Sequence, residues 1–396
     1  MSETEAITLP TARPNPFDPP DGLAELREHT PITRLAYPDG HLGRLVTSHA
    51  LAREVLADRR FSARSELRHI PVESTSTARP SPPGMFIGMD PPEQTRYRHL
   101  LTGEFTVRRM RLLTERIEEI TEHRLDLMER QGPPADLVTA FAAPVPAVVI
   151  CELLGVPEEE RAGFMTEATE LVRPDATQEQ KISAFLTMQA RMRDLVVAKR
   201  AEPTDDLLSG LTRSDLTDEE LANIGFMLLG AGLDTTANML ALGTFALLCH
   251  PGRPAVLRDE PGRVEQVVEE LLRYLTIIPF LVRTALEDVE LGGELVRAGE
   301  TVTISVPAAN RDPKRFPDPD ALDLRRDTGG HVAFGHGVHQ CLGQQLARVE
   351  MQAGYPALFR RFPSLRLAVE PDQVPLRTDM LIYGVHSLPV TWDVQE

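Results

Sequence analysis

The run Phe334-Gly335-His336-Gly337-Val338-His339-Gln340-Cys341-Leu342-Gly343 joins turn-forming glycines to groups that bind metals. Gly335, Gly337 and Gly343 let the backbone turn and approach something flat and bulky. A helical pattern begins just after Cys341, which places the sulfur at a helix N-terminus, where the dipole and free N–H groups stabilise a thiolate. A thiolate that stays charged is a strong electron donor to a metal, and in haem enzymes with a Cys ligand that donation favours O–O cleavage. A zinc reading competes, because His331, His336, His339 and Cys341 fall within eleven residues. Zinc signatures come in two ligand pairs, and no second Cys or His pair occurs in the chain. The other two cysteines, Cys151 and Cys249, read as inert buried hydrophobes. Three widely spaced cysteines make no disulfide framework and suit a reducing compartment.

A second segment, Ala231-Gly232-Leu233-Asp234-Thr235-Thr236, falls in the middle of a long apolar helix. Glycine there costs about 1 kcal/mol relative to alanine, and adjacent hydroxyls can bond back to main-chain carbonyls and loosen the ladder. A widened helix leaves room for oxygen and water beside a cofactor. An acid followed by a hydroxyl makes a short proton relay, which O–O cleavage requires. Alone, the segment reads equally as a buried helix with satisfied polar groups; the cysteine loop in the same chain favours the relay. Glu270 and Arg273 sit three apart on one helical face, a pairing that by itself is worth only tenths of a kcal/mol.

The elements that must hold these groups are mostly helices. Thr217-Asp218-Glu219-Glu220 is a capping box that opens the central helix, which Pro251 ends. Helical spacing also covers most of 91–200, then 262–275 and a last helix from Cys341 to about Phe362. Short strands are expected at 32–36, 42–47, 280–286, 289–291 and 302–306, with β-hairpins in the tail 365–394. An irregular meander fills 308–330, and residues 62–84 form a long loop of a length usually reserved for function. Residues 1–20 read as a flexible arm. No linker divides the remainder, so 1–396 is expected to form one mainly α domain with a smaller β portion.

The chain has 396 residues and a net charge of −17, with lysine only at 181, 199 and 314. That acidity argues against nucleic acid or an anionic membrane as the main partner. Residues 224–249 are long enough to span a bilayer, but Asp234, Thr235, Thr236 and Asn238 interrupt them and no basic cluster flanks them. No signal peptide pattern opens the chain. A cytoplasmic location is the expectation.

Taken together, these motifs resemble those of the cytochromes P-450. The haem-binding signature Phe-x-x-Gly-x-His/Arg-x-Cys-x-Gly is matched at Phe334, Gly337, His339, Cys341 and Gly343, and the oxygen-activation motif at 231–236. The Glu-x-x-Arg pair at Glu270 and Arg273, the meander 310–319 and the helix start at Asp90–Arg98 match in order and at normal spacing. The resemblance implies the cytochrome P-450 fold, with the long central helix over haem b. Cys341 would ligate iron, Phe334 would shield the sulfur, and Gly343 and Ala231 would pack close to the cofactor. His339, Arg98, Arg283 and Gln94 would reach haem propionates, Gln94 standing where many members have His. Asp234 and Thr235 would relay protons, and Glu270, Arg273 and Arg326 would form a buried structural network.

The implied activity is monooxygenation of a sizeable hydrophobic molecule of macrolide or polyketide, terpenoid or steroid type, using O₂ and electrons from a ferredoxin served by its reductase. Arg108, Arg109 and Arg111 would dock that donor. Candidate pocket residues are Met85, Phe86, Ile87, Leu171, Val172, Ile277, Ile278, Leu281, Leu381 and Ile382, each of which reads equally as core. The alternatives are a carrier-tethered substrate, phenol coupling, or a haem-binding protein without turnover.

Overall fold

The computed structural model describes residues 5–73, 78–104, 107–173 and 175–394. The side chains of Arg108 and Val172, both singled out above, lie outside the described residues. The N-terminal part carries α1 (Leu23–His29), β1 (Ile32–Ala36), β2 (Leu42–Val46), α2 (His49–Ala57) and β3 (Phe61–Ser62). Ser48 caps α2 by accepting the Leu51 amide. The helical body follows with α3 (Glu93–Glu104), α4 (Val107–Gln131), β4 (Ala135–Asp136), α5 (Pro144–Leu154), α6 (Glu158–Val172), α7 (Gln178–Ala201), α8 (Leu207–Leu211) and α9 (Asp218–Cys249). After it come α10 (Arg253–Asp259), α11 (Val264–Leu275), β5 (Phe280–Ala285), β6 (Val289–Leu291), β7 (Glu294–Val296), β8 (Thr301–Ser305) and α12 (Val306–Asn310). Beyond the cysteine loop the chain ends in α13 (Gln344–Arg361), β9 (Arg366–Leu367) and β10 (Pro389–Thr391).

The five-stranded sheet runs β1-β2-β8-β5-β3, with β2 and β8 parallel and the other pairs antiparallel. A three-stranded sheet, β4-β10-β9, ties residue 135 to residue 390. The largest core cluster joins α4, α5, α7, α9, α11 and α13, and a smaller one lies under the five-stranded sheet.

The central helix α9 begins at the expected capping box. Thr217 Oγ1 accepts the Glu220 amide, and the Glu220 carboxylate accepts the Thr217 amide. Asp218, Glu219 and Glu220 also place negative charge on the positive end of the helix dipole. By length and composition α9 could cross a membrane, yet 56% of its most apolar window is buried inside the protein. Its flanks are buried, whereas Gly230 and Ala231 at its middle are exposed, so the centre of the core helix is accessible. The ladder is not widened there, contrary to expectation: α9 runs unbroken, and the Thr235 hydroxyl adds a bond to the Ala231 carbonyl at 2.8 Å without displacing a turn.

Two further expectations fail. The first twenty residues are not a free arm from residue 5 onward. Ile7 bridges Leu35, Pro16 accepts a 2.8 Å bond from the Tyr383 hydroxyl, and Phe17 accepts a 2.9 Å bond from Arg311. Arg13 also stacks 3.9 Å from the centre of the Tyr383 ring. The start of the meander, 308–310, is helical and completes α12 (Val306–Asn310), which Ser305 caps and whose first turn Pro307 fits.

Candidate active site

The cysteine loop is shaped by its glycines. Gly335 and Gly337 hold φ of 70° and 72°, and a Cβ at Gly337 would collide with the Leu56 carbonyl of α2. The Cys341 amide donates to the Phe334 carbonyl at 2.8 Å, which closes the loop, and Asn310 anchors its start through a 2.8 Å bond from the Val332 amide. Helix α13 starts at Gln344, so Cys341 stands just ahead of the helix and not on its first turn. Cys341 is accessible yet ringed by protein, as on the floor of a recess: burial pushes its thiol up, while the Gly343 amide, Arg98 and Arg348 pull it down. A metal that binds there displaces the proton and stabilises the thiolate.

Three cationic or donor groups gather beside this sulfur. Burial lowers Arg98, and Cys341 lies close enough to raise it in part. Arg283 is 8% exposed and makes one side-chain bond, to its neighbour's carbonyl at Val282. Burial pulls its guanidinium down to about 10, with Asp90 opposing and Arg68 adding to the fall. Burial, then Arg283, drives His339 down to about 4. Among the described residues no carboxylate bonds Arg98, Arg283 or His339. Two desolvated guanidinium groups and a neutral imidazole left in this way are a donor set for carboxylate ligands, and the propionates of a haem held at Cys341 would fit them.

Gln94 does not join this set. It is buried, and its amide donates to the Val338 carbonyl at 2.7 Å, so it braces the cysteine loop against α3. The zinc alternative also falls: among the described residues no three His, Cys, Asp or Glu side chains gather as a metal site. His331 instead contacts Glu269 at 3.0 Å.

On the wall formed by α9, Asp234 meets partners that its sequence neighbours gave no sign of. Arg377, from the tail, grips it at 2.6 and 3.1 Å, and the Asn238 amide donates to it at 3.0 Å. Thr236 bonds Glu350 on α13, a fully buried acid that burial pushes up to about 8. Through that contact the relay segment is braced to the helix that follows Cys341. Neither Arg377 nor Glu350 carried a local signal.

Glu270, Arg273 and Arg326 meet in one buried cluster. Arg273 holds both Glu270 oxygens at 2.7 and 2.8 Å, and Arg326 reaches the same carboxylate at 3.3 Å. Arg273 also donates to the Asn310 and Pro319 carbonyls at 3.0 and 2.9 Å, pinning the meander.

The pocket candidates divide. Ile87 and Leu381 are 62% and 61% exposed, so neither belongs to the core. Met85, Leu171, Ile278, Leu281 and Ile382 are half-buried, with Leu281 close to Gly335. Phe86 and Ile277 belong to the core, Phe86 because it stacks on Tyr97.

Comparison with known proteins agrees with this architecture. Residues 162–390 match the cytochrome P-450 family model. Cytochrome P-450 105C1 of a Streptomyces species is 48% identical over 395 residues, covering 99% of this chain and 100% of the relative. Pentalenic acid synthase of Streptomyces avermitilis is 42% identical, covering 99% and 98%. The crystal structure of CYP105P1 in complex with filipin I superposes with a TM-score of 0.92 at 42% identity, covering 99% of this chain and 100% of that one. The chain belongs to the cytochrome P-450 family. It is a monooxygenase whose cofactor is haem with a cysteine thiolate as axial ligand, and its relatives act on secondary metabolites.

Proposed function

We propose that this chain inserts one oxygen atom from O₂ into a sizeable hydrophobic secondary metabolite, of macrolide or polyketide, terpenoid or steroid type, with electrons from a ferredoxin. The observation that carries the reading is Cys341 on the floor of a recess, beside two guanidinium groups and a histidine that, among the described residues, bond no carboxylate. Cys341 would hold the haem iron, and Arg98, Arg283 and His339 would hold its propionates. When bound, the haem supplies the two-electron oxidation of substrate by O₂.

The protein's own residues position the substrate, keep water out and deliver protons. Ile87 and Leu381 present apolar surface to the substrate, with Met85, Leu171, Ile278, Leu281 and Ile382 behind them. The Thr235 hydroxyl gives its hydrogen to the Ala231 carbonyl, which leaves both lone pairs free to accept a bond from a donor in the recess. Asp234, steadied by Arg377 and Asn238, takes a proton from solvent and passes it on at Thr235 Oγ1. Each turnover uses two protons and two electrons, and one oxygen atom leaves as water.

An acidic donor would dock by charge at Arg109 and Arg111. Arg111 is exposed, while Arg109 pairs with Asp205 at 3.1 Å. Residues 1–396 are read as one working domain in the cytoplasm, supported by matches over 99% of the chain and by the β4–β10 pairing. The test is turnover of a library of macrolides, terpenoids and steroids with NADPH, ferredoxin, reductase and ¹⁸O₂. A product heavier by one ¹⁸O atom supports the reading; NADPH-dependent products that never carry ¹⁸O overturn it.

A further inference from the structure

Three side chains outside the relay and the carboxylate-binding set converge on Phe334 and Cys341. Arg348 lies on α13, two turns beyond Cys341, with its guanidinium 4.6 Å from the centre of the Phe334 ring. The Phe334 carbonyl is the one that accepts the Cys341 amide. Glu269, on α11, grips Arg348 with both oxygens, from Nε at 2.6 Å and from Nη2 at 3.0 Å. Gln344 takes a third bond from Arg348 Nη1 at 3.0 Å. His331 completes the chain. Its Nδ1 accepts the Ala333 amide at 3.2 Å, so Nε2 carries the proton and donates to Glu269 at 3.0 Å. Burial pushes Glu269 up, yet His331 and Arg348 outweigh burial and hold its carboxyl at about 2.

We propose that Glu269, oriented by His331, is a positioning residue: it fixes Arg348 on the Phe334 ring and offsets its charge, and so sets how readily the haem bound at Cys341 accepts an electron. The physics is a balance of two charges in a poorly hydrated place. The His331 side chain is 3% exposed and that of Arg348 19%, so water screens them weakly. A guanidinium stacked on an aromatic face holds one orientation, which keeps its charge at a fixed distance from the sulfur. Reduction adds negative charge to the centre, so a bare Arg348 favours the reduced state and Glu269 opposes it. Surroundings of this kind, charge and hydrogen bonding around the ligand, tune haem potentials. The inference rests on the reading of Cys341 as axial ligand.

The experiment is spectroelectrochemical titration of the haem-loaded parent, Glu269→Gln, Arg348→Gln and the double variant, with the ferrous–CO spectrum recorded for each. Glu269→Gln leaves Arg348 uncompensated and should shift the reduction equilibrium toward ferrous by about threefold or more. Arg348→Gln should shift it the other way by a similar factor, and the double variant should return toward the parent. Arg348→Lys retains the charge and should fall between the parent and Arg348→Gln; it carries the same test if Arg348→Gln fails to hold haem. Unmoved potentials with only lowered thermal stability would overturn the proposal, leaving a structural brace. Slower ferredoxin-driven reduction at an unmoved potential would also overturn it and make Arg348 a docking residue. A parent without a thiolate-type CO spectrum would remove the ligand assignment, and this inference with it.

Discussion

Replacing Glu350 by Gln should remove a pH-dependent cost from the fold. Glu350 is fully buried between α13 and α9, with the Thr236 hydroxyl as its side-chain partner, and burial raises its carboxyl from an ordinary 4.5 to about 8. The folded protein therefore holds a proton there that the unfolded chain has released throughout that window. Where the folded state binds more protons, stability falls as pH rises, by about 1.4 kcal/mol per pH unit. About 3 kcal/mol is thus lost by pH 7 relative to pH 4.5, and about 4 kcal/mol by pH 8, a large share of a net stability of roughly 5–15 kcal/mol. Glutamine keeps an acceptor for Thr236 and never ionises, so its stability should not carry this decline. The assay is urea unfolding of haem-loaded parent and variant from pH 5 to 8, read as the difference between them at each pH. The variant should gain on the parent steadily across the range. Parallel curves would refute the argument, because they would mean that Glu350 is not a buried, protonated acid.

Other consequences follow from the same geometry. Thr235→Ala removes the lone pairs offered to the recess, so NADPH should still be consumed but appear as peroxide; a product-to-NADPH ratio equal to the parent's would count against the relay. Arg273→Met leaves Glu270 buried with Arg326 as its one remaining charged partner among the described residues, and should cost about 3–5 kcal/mol in urea unfolding, with loss of haem; a loss below about 1 kcal/mol would show that the network is dispensable. Arg111→Glu should slow ferredoxin-driven reduction at low salt and converge with the parent at high salt, and an unchanged rate at both would move the docking surface elsewhere.

Much of this site was legible because its signals are local. The glycines at 335 and 337, the Thr217–Glu220 box and the Glu270–Arg273 spacing each encode their geometry within a few residues, and each took the expected form. What stayed hidden depends on contacts distant in sequence. Arg377 meets Asp234 across 143 positions, and Gln94 finds the Val338 carbonyl across 244. No local pattern announces either bond. The tethering of residues 5–20 depends on Tyr383 and Arg311 at the far end of the chain, so a proline-rich opening read as a flexible arm. Phe86 and Ile87 show the limit of hydrophobicity as a guide: they are adjacent, yet one is core and the other is exposed.

The central claim is that Cys341 is the thiolate ligand of the haem. Its most direct test is the absorption difference between dithionite-reduced protein with and without carbon monoxide, for the parent and for Cys341→His. The account predicts the strongly red-shifted Soret band of a thiolate trans to CO in the parent, and an imidazole-type band in the variant. An imidazole-type band in freshly loaded, folded parent, or no haem band at all, would contradict it.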